Sequence, residues 1–228
     1  TVGTNSTVGG LPLPTKESND KIISDLFKKT EKSGDFGAKI IVWNEASFFT
    51  LPSNEKEIQN SIKAIAKKKN ISIVASYVIP ISENPFKYEN KFVFINGKGE
   101  IVYSYLKHQP VPGEPAIQGT KPFQTVQISE SRIGGAICYD YDFPYIAHEF
   151  GKLKADIVAV PSSDWRGIDP LHTRMSAFRA IEQGHSIIRS TRFGLSAIIS
   201  PYGEMISQSS SFDAVSYTHL RAHETKAN

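Results

Sequence analysis

Apolar residues recur with two different periods in the first third of the chain. Over 22–27 and again over 58–65 they return every three to four positions, which predicts two amphipathic helices. Each helix is followed by a short, mostly apolar run, over 38–43 and 71–78, and a run of this kind predicts a buried strand. The chain is therefore expected to open with two helix-then-strand units.

The pattern changes in the middle of the chain, where strand-like runs follow each other without a helix between them. The runs over 91–95 and 101–105 flank the segment 96–99, whose two glycines suit a hairpin turn. A second pair of strands is predicted over 123–128 and 132–138. We therefore expect adjacent antiparallel strands in this part of the chain.

The last third returns to alternating helices and strands. A helix is predicted over 144–153, and strands over 155–160, 186–190 and 195–200. A further helix ends near Gly184, and its apolar face is formed by Leu171, Met175, Phe178 and Ile181. This order of elements predicts an α/β fold with two layers of sheet and helices outside them.

Size, composition and charge fit one globular domain. The 228 residues suffice for a single large domain with a buried core. Apolar residues make up 39% and charged residues 21%, and no apolar run reaches the roughly 18 residues that span a bilayer. The net charge of +3 is small, and the one dense cluster, Lys67-Lys68-Lys69, stands where a predicted helix ends. Nucleic-acid binding is therefore not expected.

The cysteine and histidine counts limit the kinds of site that the chain can build. A single cysteine, Cys138, excludes an internal disulfide and any metal site made of several cysteines. The six histidines show no spacing typical of metal ligands. We therefore predict neither a metal nor another cofactor.

Both ends of the sequence differ from the rest. The chain does not begin with methionine, and residues 1–14 are rich in Thr, Gly, Ser and Pro, which predicts a loop entered part-way through a longer protein. Residues 215–225 break with the preceding pattern and resemble translated adapter or vector sequence. The expected domain therefore covers 1–213, and 214–228 is expected to be a non-native tail.

Three chemically reactive side chains each come directly after a predicted strand: Glu45, Lys107 and Cys138. Since α/β sheets place their chemistry at strand ends, we expect the three to meet at one end of the sheets. Taken singly, each also fits an ordinary structural role. Glu45 fits a carboxylate at a helix N-terminus, Lys107 a surface lysine and Cys138 a small buried residue.

The segments around these residues resemble the three catalytic segments of the nitrilase, or carbon–nitrogen hydrolase, superfamily, in that family's order. They are Trp43-Asn44-Glu45-Ala46, Tyr105-Leu106-Lys107-His108 and Ile137-Cys138-Tyr139-Asp140-Tyr141-Asp142-Phe143-Pro144. The resemblance extends over about residues 20–207. It implies a four-layer αββα sandwich, here without the family's usual first strand, and a triad of Glu45, Lys107 and Cys138.

The resemblance also implies a role for each residue. Glu45 is the base for the Cys138 thiol, and the sulfur attacks an acyl carbonyl. Lys107, helped by a backbone N–H near Tyr139, stabilises the oxyanion that forms. A thioester at Cys138 results, which water resolves in an amidase and an amine resolves in an N-acyltransferase.

Within the superfamily, the chain is most similar to the apolipoprotein N-acyltransferase branch. The signals are the Cys-Tyr-acidic-x-x-Phe-Pro segment and the segments over 162–167, 172–182 and 194–203. In that branch a phospholipid donates the acyl group, and the amino terminus of a lipid-modified cysteine accepts it. The resemblance therefore implies a parent protein anchored in the bacterial inner membrane, with this domain outside the cytoplasm.

Several positions differ from that branch. Asn44 stands in place of a proline, Asp140 in place of a glutamate and Ala177 in place of an arginine, and the loop 111–114 lacks an aromatic residue. Two other hypotheses therefore stay open. One is a soluble, cytoplasmic amidase or nitrilase that uses water on a small amide or nitrile, and the other is an inactive or non-catalytic fragment. The sequence leaves the oligomeric state open.

Four further residues have expected roles, and two of them have alternative interpretations. Glu114 is expected either to orient the acyl group and assist proton transfer, or to be a loop carboxylate in solvent. Trp165 is expected either to form a wall of the acyl pocket or to be part of the buried core. We assign His172 a structural role and expect Arg189 at the surface or a helix end, without a part in the site.

Overall fold

The computed structural model describes residues 1–2, 12–165 and 167–209. Within these ranges the helices are α1 (Lys16–Asp35), α2 (Glu55–Lys69), α3 (Pro144–Lys152) and α4 (Leu171–Gln183). The strands are β1 (Ile40–Val42), β2 (Ser72–Glu83), β3 (Phe86–Ile95), β4 (Ile101–Leu106), β5 (Val126–Ile128), β6 (Ser131–Gly135), β7 (Ile157–Ser163), β8 (Ser186–Arg192), β9 (Ala197–Ile199) and β10 (Met205–Gln208). Most of the loop predicted over 1–14, and all of the tail predicted over 214–228, lie outside the described residues.

The strands form two sheets. The first has the order β1-β2-β3-β4, with β1 and β2 parallel and the other pairs antiparallel. The second has the order β10-β9-β8-β7-β6-β5, with β6, β7 and β8 parallel and the outer pairs antiparallel. The pattern of apolar residues does not predict the short strand β10, which extends the edge of the second sheet.

Helices cover the outer faces of both sheets. Leu26 of α1 and Ile62 of α2 are buried in one cluster with Ile73 of the first sheet. On the other face of that sheet, Phe92 of β3 belongs to a second cluster that includes residues of the second sheet and Phe150 of α3. The predicted four-layer αββα sandwich is therefore confirmed.

Two glycines in β6 allow the neighbouring layers to approach the strand that leads to Cys138. A Cβ atom on Gly134 would lie 2.5 Å from the ring of Phe150 in α3. A Cβ atom on Gly135 would lie 2.6 Å from the ring of Phe92 in the first sheet. Side chains here would displace one layer or the other, so close packing on both faces fixes the end of this strand.

The helix α4 turns its apolar stripe outward. Such a stripe normally lies against a core, but Leu171, Phe178 and Ile181 are 57%, 61% and 55% exposed. The buried face carries small and polar residues instead: His172, Thr173, Ser176 and Ala180. This composition fits the charged side chains that α4 covers, because small polar groups can hydrogen-bond to them.

Val2 lies at the edge of the first sheet, next to β1. Its N–H donates to the carbonyl of Val42 at 3.0 Å, and its carbonyl accepts from Asn44 N–H at 3.2 Å. The same carbonyl accepts a hydrogen bond of 3.3 Å from the hydroxyl of Ser190 in the second sheet. Val2 thus joins the two sheets at Asn44, the residue that precedes Glu45.

Candidate active site

The structure brings the candidate residues of both sheets to the end of β7. The Nζ atom of Lys107, which follows β4, lies 2.8 Å from Oε1 of Glu45, which follows β1. The backbone N–H of Glu45 donates to the carbonyl of Ser162 at 3.1 Å. The Sγ atom of Cys138 lies 3.6 Å from the carbonyl oxygen of the next residue, Ser163. The structure therefore brings Glu45, Lys107 and Cys138 to the same end of the sheets, and their catalytic roles stay predictions.

Lys107 is buried between two carboxylates. Its Nζ atom lies 2.8 Å from Oε1 of Glu45 and 2.8 Å from Oε2 of Glu114, and its side chain is 2% exposed. Burial acts to lower the pKa of Lys107, but the carboxylates of Glu45 and Glu114 outweigh burial and hold that pKa well above its ordinary value. Lys107 is therefore a cation throughout the physiological pH range.

Glu114 is held inside this cluster by its own loop. Its Oε2 atom accepts a hydrogen bond of 2.8 Å from the N–H of Val111, and its Oε1 atom accepts one of 3.0 Å from the hydroxyl of Tyr88. Burial acts to raise the pKa of Glu114, but the Lys107 ammonium and the hydrogen bonds from Val111 and Asn90 lower it overall. The side chain is 12% exposed, so the alternative of a loop carboxylate in solvent is wrong.

Asn90 joins the two carboxylates, although no motif singles it out. Its Nδ2 atom donates to Oε1 of Glu45 at 2.8 Å and to Oε1 of Glu114 at 3.0 Å. Asn90 stands in β3 between Tyr88 and Phe92, and all three residues are buried on the inward face. A polar residue at an inward position of an alternating strand needs a buried partner, and this is the signal that could have identified it.

Cys138 begins a short 3₁₀ helix, Cys138–Asp142, which two residues separate from the end of β6. Its φ angle is +48°, an uncommon value for a residue other than glycine. The side chain is buried, and burial raises the pKa of the Cys138 thiol well above its ordinary value. Glu45 adds to this shift and Lys107 opposes it. The thiol is therefore protonated at neutral pH and needs a base in order to react.

Asp140 ties this 3₁₀ helix to the loop that follows β4. Its Oδ2 atom accepts from the hydroxyl of Tyr105 at 2.8 Å and from the N–H of Ile137 at 3.0 Å. Its Oδ1 atom accepts from the N–H of Gln109 at 2.6 Å. Burial raises the pKa of Asp140 to about 7, and the three donated hydrogen bonds oppose the shift. Asp140, one of the residues that differ from the acyltransferase branch, thus connects two of the candidate segments.

A second cluster of buried charges lies in the second sheet. Arg189 donates to both oxygens of Asp164, at 2.9 and 2.8 Å, and Arg189 is 0% exposed. Nδ1 of His172 lies 2.7 Å from Oδ1 of Asp164, and Nε2 lies 2.6 Å from Oδ1 of Asp142. The expected surface position of Arg189 is therefore wrong. Burial acts to raise the pKa of Asp164, but His172 and Arg189 hold it below its ordinary value.

Three atoms of metal-ligating type come close together at this cluster. The ligand atoms of Cys138, Asp164 and His172 lie within 4.8 Å of one another. However, both nitrogens of His172 already bond to carboxylates, and both oxygens of Asp164 bond to Arg189. The guanidinium charge also opposes a cation at this place. We therefore assign the cluster to ion pairing and not to metal binding.

The two aromatic candidates lie near this end of the sheets. Tyr139 is half-buried, and its ring packs edge-on against Phe143 with 5.1 Å between the ring centroids. Trp165 follows β7 and is 57% exposed, so the alternative of a buried core tryptophan is wrong. A substrate-binding role for Tyr139 and a pocket-wall role for Trp165 stay predictions.

A family model described as carbon–nitrogen hydrolase matches residues 10–227. The chain belongs to the carbon–nitrogen hydrolase family. Among curated proteins, this carbon–nitrogen hydrolase is 27% identical over 196 residues to an apolipoprotein N-acyltransferase from Pseudomonas aeruginosa and 31% identical over 171 residues to one from Borreliella burgdorferi. These matches cover 74% and 71% of this chain but 38% and 31% of the two relatives. The chain therefore spans less than two fifths of the length of each of these relatives.

Solved carbon–nitrogen hydrolase structures share the fold. An amidase from Nesterenkonia sp. superposes with a TM-score of 0.73 at 17% identity, covering 92% of this chain and 85% of the amidase. A carbon–nitrogen hydrolase from Helicobacter pylori superposes with a TM-score of 0.75 at 18% identity, covering 86% and 82%. At these identities the likeness shows the fold alone. Within the described residues, every helix is too short or too polar to cross a bilayer.

Proposed function

We propose that this chain is the catalytic domain of an apolipoprotein N-acyltransferase-like enzyme, which moves an acyl chain from a phospholipid to an amine through a thioester at Cys138. The observation that carries the proposal is the Lys107 cation between Glu45 and Glu114, at the same end of the sheets as a buried, protonated thiol. These groups supply a base, an oxyanion donor and a nucleophile. The similarity to N-acyltransferases over 196 residues supports acyl transfer as the reaction.

In the first step, Glu45 takes the proton of the Cys138 thiol while the sulfur attacks the ester carbonyl of the phospholipid. The hydrogen bonds that Lys107 and Asn90 donate to Glu45 both end on Oε1, so we assign the proton to Oε2. Since the pKa of the thiol is raised, proton transfer and attack are expected together. A C–S bond forms, and the carbonyl oxygen becomes an oxyanion.

Lys107 and the backbone N–H of Tyr139 then stabilise this oxyanion. A preorganised donor of this kind lowers the barrier by roughly 3–4 kcal/mol. When the tetrahedral intermediate collapses, the ester C–O bond breaks and Glu45 gives its proton to the leaving alkoxide. The alcohol product is a lysophospholipid, and the acyl group remains on Cys138 as a thioester.

In the second half of the reaction, an amine attacks the thioester carbonyl. Glu45 accepts a proton from the amine, the C–S bond breaks, and the same proton returns to the sulfur of Cys138. The products are an amide and the free thiol. In this scheme Glu114 holds Lys107 in place, and Trp165 contacts the acyl chain. The proposal places the parent protein in the bacterial inner membrane with this domain outside the cytoplasm, where phospholipid and lipoprotein amino termini are both present.

Labelling with a fluorophosphonate lipid probe, followed by peptide mass spectrometry, tests the proposal. We expect one probe molecule on the peptide that contains Cys138, and one acyl chain there after incubation with phospholipid vesicles. The variant Cys138→Ala, checked for folding by circular dichroism, should acquire neither. Hydrolysis of small amides without acyl transfer to an amine would favour an amidase. Labelling that persists in Cys138→Ala would overturn the thioester mechanism.

A further inference from the structure

His172 is held between two carboxylates that belong to different elements. Its Nδ1 atom lies 2.7 Å from Oδ1 of Asp164, which follows β7. Its Nε2 atom lies 2.6 Å from Oδ1 of Asp142, the last residue of the 3₁₀ helix that Cys138 begins. The side chain of His172 is 3% exposed. The imidazole therefore joins α4, the end of β7 and the turn of Cys138 at one buried point.

The two contacts require a protonated imidazole. A carboxylate only accepts hydrogen bonds, so both ring nitrogens of His172 must donate, and only the imidazolium carries both protons. A neutral ring would set a nitrogen lone pair against a carboxylate oxygen. Burial acts to lower the pKa of His172, but the hydrogen bonds with Asp142 and Asp164 raise it overall. The geometry and the electrostatics thus favour the same charge state.

The charged groups around His172 also balance only when the ring is protonated. They are Asp142 from the 3₁₀ helix, Asp164 after β7 and Arg189 from β8, and the Cys138 thiol lies beside them. Arg189 compensates one carboxylate, and a protonated His172 compensates the other. A neutral ring would leave one buried carboxylate without a counter-charge, which is costly in a site of low polarity.

We propose that the buried imidazolium of His172 is a positioning residue that fixes the 3₁₀ helix, and with it Cys138 and the N–H of Tyr139, for acyl transfer. The inference rests on the proposed function, because it concerns the geometry of the same thioester chemistry. Deprotonation of His172 loosens its contact with Asp142 and lowers the acylation rate. Since its pKa is raised on folding, the stabilising contribution is complete below the ordinary pKa of about 6.5 and is lost as the pH rises through the folded-state value.

Two variants separate the charge of His172 from its mere presence. In His172→Gln the two hydrogen bonds from the imidazolium to Asp142 and Asp164 are absent at every pH. We expect a ~10- to 100-fold lower acylation rate with little change in KM, because small displacements of reacting groups cost rate in this range. In Asp142→Asn the amide can donate to the neutral Nε2 atom while Nδ1–H still donates to Asp164. This second variant therefore keeps both hydrogen bonds of His172 when the ring is neutral.

His185 offers a matched control because it is a buried histidine of the opposite kind. Its Nε2 atom bonds to the hydroxyl of Tyr141, also in the 3₁₀ helix, and burial lowers the pKa of His185 to about 4. It is therefore neutral at neutral and alkaline pH. We expect His185→Gln to leave the alkaline part of the pH profile unchanged.

The experiment combines acylation rates with nuclear magnetic resonance. The single-turnover rate of Cys138 labelling by the fluorophosphonate lipid probe is measured from about pH 5.5 to 9.5 in the wild type, His172→Gln, Asp142→Asn and His185→Gln. Over the same range, ¹⁵N spectra report the protonation of the His172 ring and the amide resonance of Tyr139. We expect an imidazolium at neutral pH, a Tyr139 amide that titrates with it, and an alkaline fall in rate that Asp142→Asn removes.

The outcomes distinguish this inference from the proposed function. A neutral His172 ring at pH 7, or an alkaline fall that persists in Asp142→Asn, would overturn the inference while Cys138 is still labelled. A wild type that never acquires a label on Cys138 would overturn the proposed function. In that case the charge of His172 and its coupling to the Tyr139 amide are still decided by the spectra.

Discussion

Each of the two sheets ends in a buried cluster of charges, and the clusters differ in their balance. In the first sheet, one cation, Lys107, stands between the carboxylates of Glu45 and Glu114. This cluster therefore carries one negative charge in excess, close enough to Cys138 for Glu45 to raise the pKa of its thiol. Under the proposed function, the excess carboxylate is the proton acceptor.

The cluster in the second sheet is balanced. Arg189 and a protonated His172 compensate the carboxylates of Asp142 and Asp164. No carboxylate there is left to take a proton, and the contacts link α4 and β8 to the 3₁₀ helix that carries the thiol. Under the two proposals, the unbalanced buried cluster serves proton transfer, whereas the balanced one holds geometry.

Removing the excess charge of the first cluster should have the largest effect. In Glu45→Gln the shape of the side chain and its hydrogen bonds to Lys107 and Asn90 are kept, but the base is lost. We expect single-turnover labelling of Cys138 to slow by ~10²- to 10⁴-fold, with little change in the free energy of unfolding. The matched variant Glu114→Gln should slow labelling less. A wild-type rate in Glu45→Gln would mean that another group is the base.

Removing the cation instead should affect both rate and stability. In Lys107→Met the oxyanion loses a donor, so labelling is expected to slow by ~10²- to 10³-fold. Two buried carboxylates also lose their partner, which should lower the free energy of unfolding by about 3–5 kcal/mol in urea denaturation. Adding Glu114→Gln to Lys107→Met should restore part of this stability but not the rate. Additive losses in the double variant would show that the two side chains do not interact.

The sequence predicts the parts of the site that depend on local pattern. Glu45, Lys107 and Cys138 each follow an apolar run, and the strands β1, β4 and β6 end within a few residues of the predicted positions. The order of the elements fixes the fold class, and the fold class fixes the direction of each strand. The ends of neighbouring strands that run the same way therefore lie close together. The four-layer fold and the convergence of the three side chains could therefore be expected from the sequence.

The partners of these residues could not be predicted in the same way. Asn90 and Arg189 each lie at a buried position within a strand, and their roles depend on carboxylates that are distant along the chain. Likewise, His172 lies on the polar face of α4, which the apolar pattern indicates to be the outer face, yet that face is buried. Periodicity shows which face is apolar, but a buried charge network reverses the usual orientation of that face.

Asn90 allows the first cluster to be weakened without a change of charge. In Asn90→Ala the donor to Glu45 and Glu114 is lost, and a hydrogen bond to a charged group contributes about 1.5–3 kcal/mol to the free energy of unfolding. We expect a loss in this range, together with a smaller fall in labelling rate than in Lys107→Met. Tyr88→Phe removes only one hydrogen bond, to Glu114, and should cost less. Equal losses in the two variants would mean that Asn90 does not couple the carboxylates.

The smallest effect is expected outside both clusters, at Trp165. Its ring is 57% exposed, so Trp165→Ala should leave the free energy of unfolding nearly unchanged. If Trp165 contacts the acyl chain, the variant should raise KM for a long-chain lipid probe by roughly 5-fold, which corresponds to about 1 kcal/mol of apolar contact, and leave a short-chain probe unaffected. Phe178→Ala is the matched control, because Phe178 on α4 is 61% exposed and has no assigned role. An equal change in both variants would show that general surface hydrophobicity, and not a pocket wall at Trp165, determines the preference for long chains.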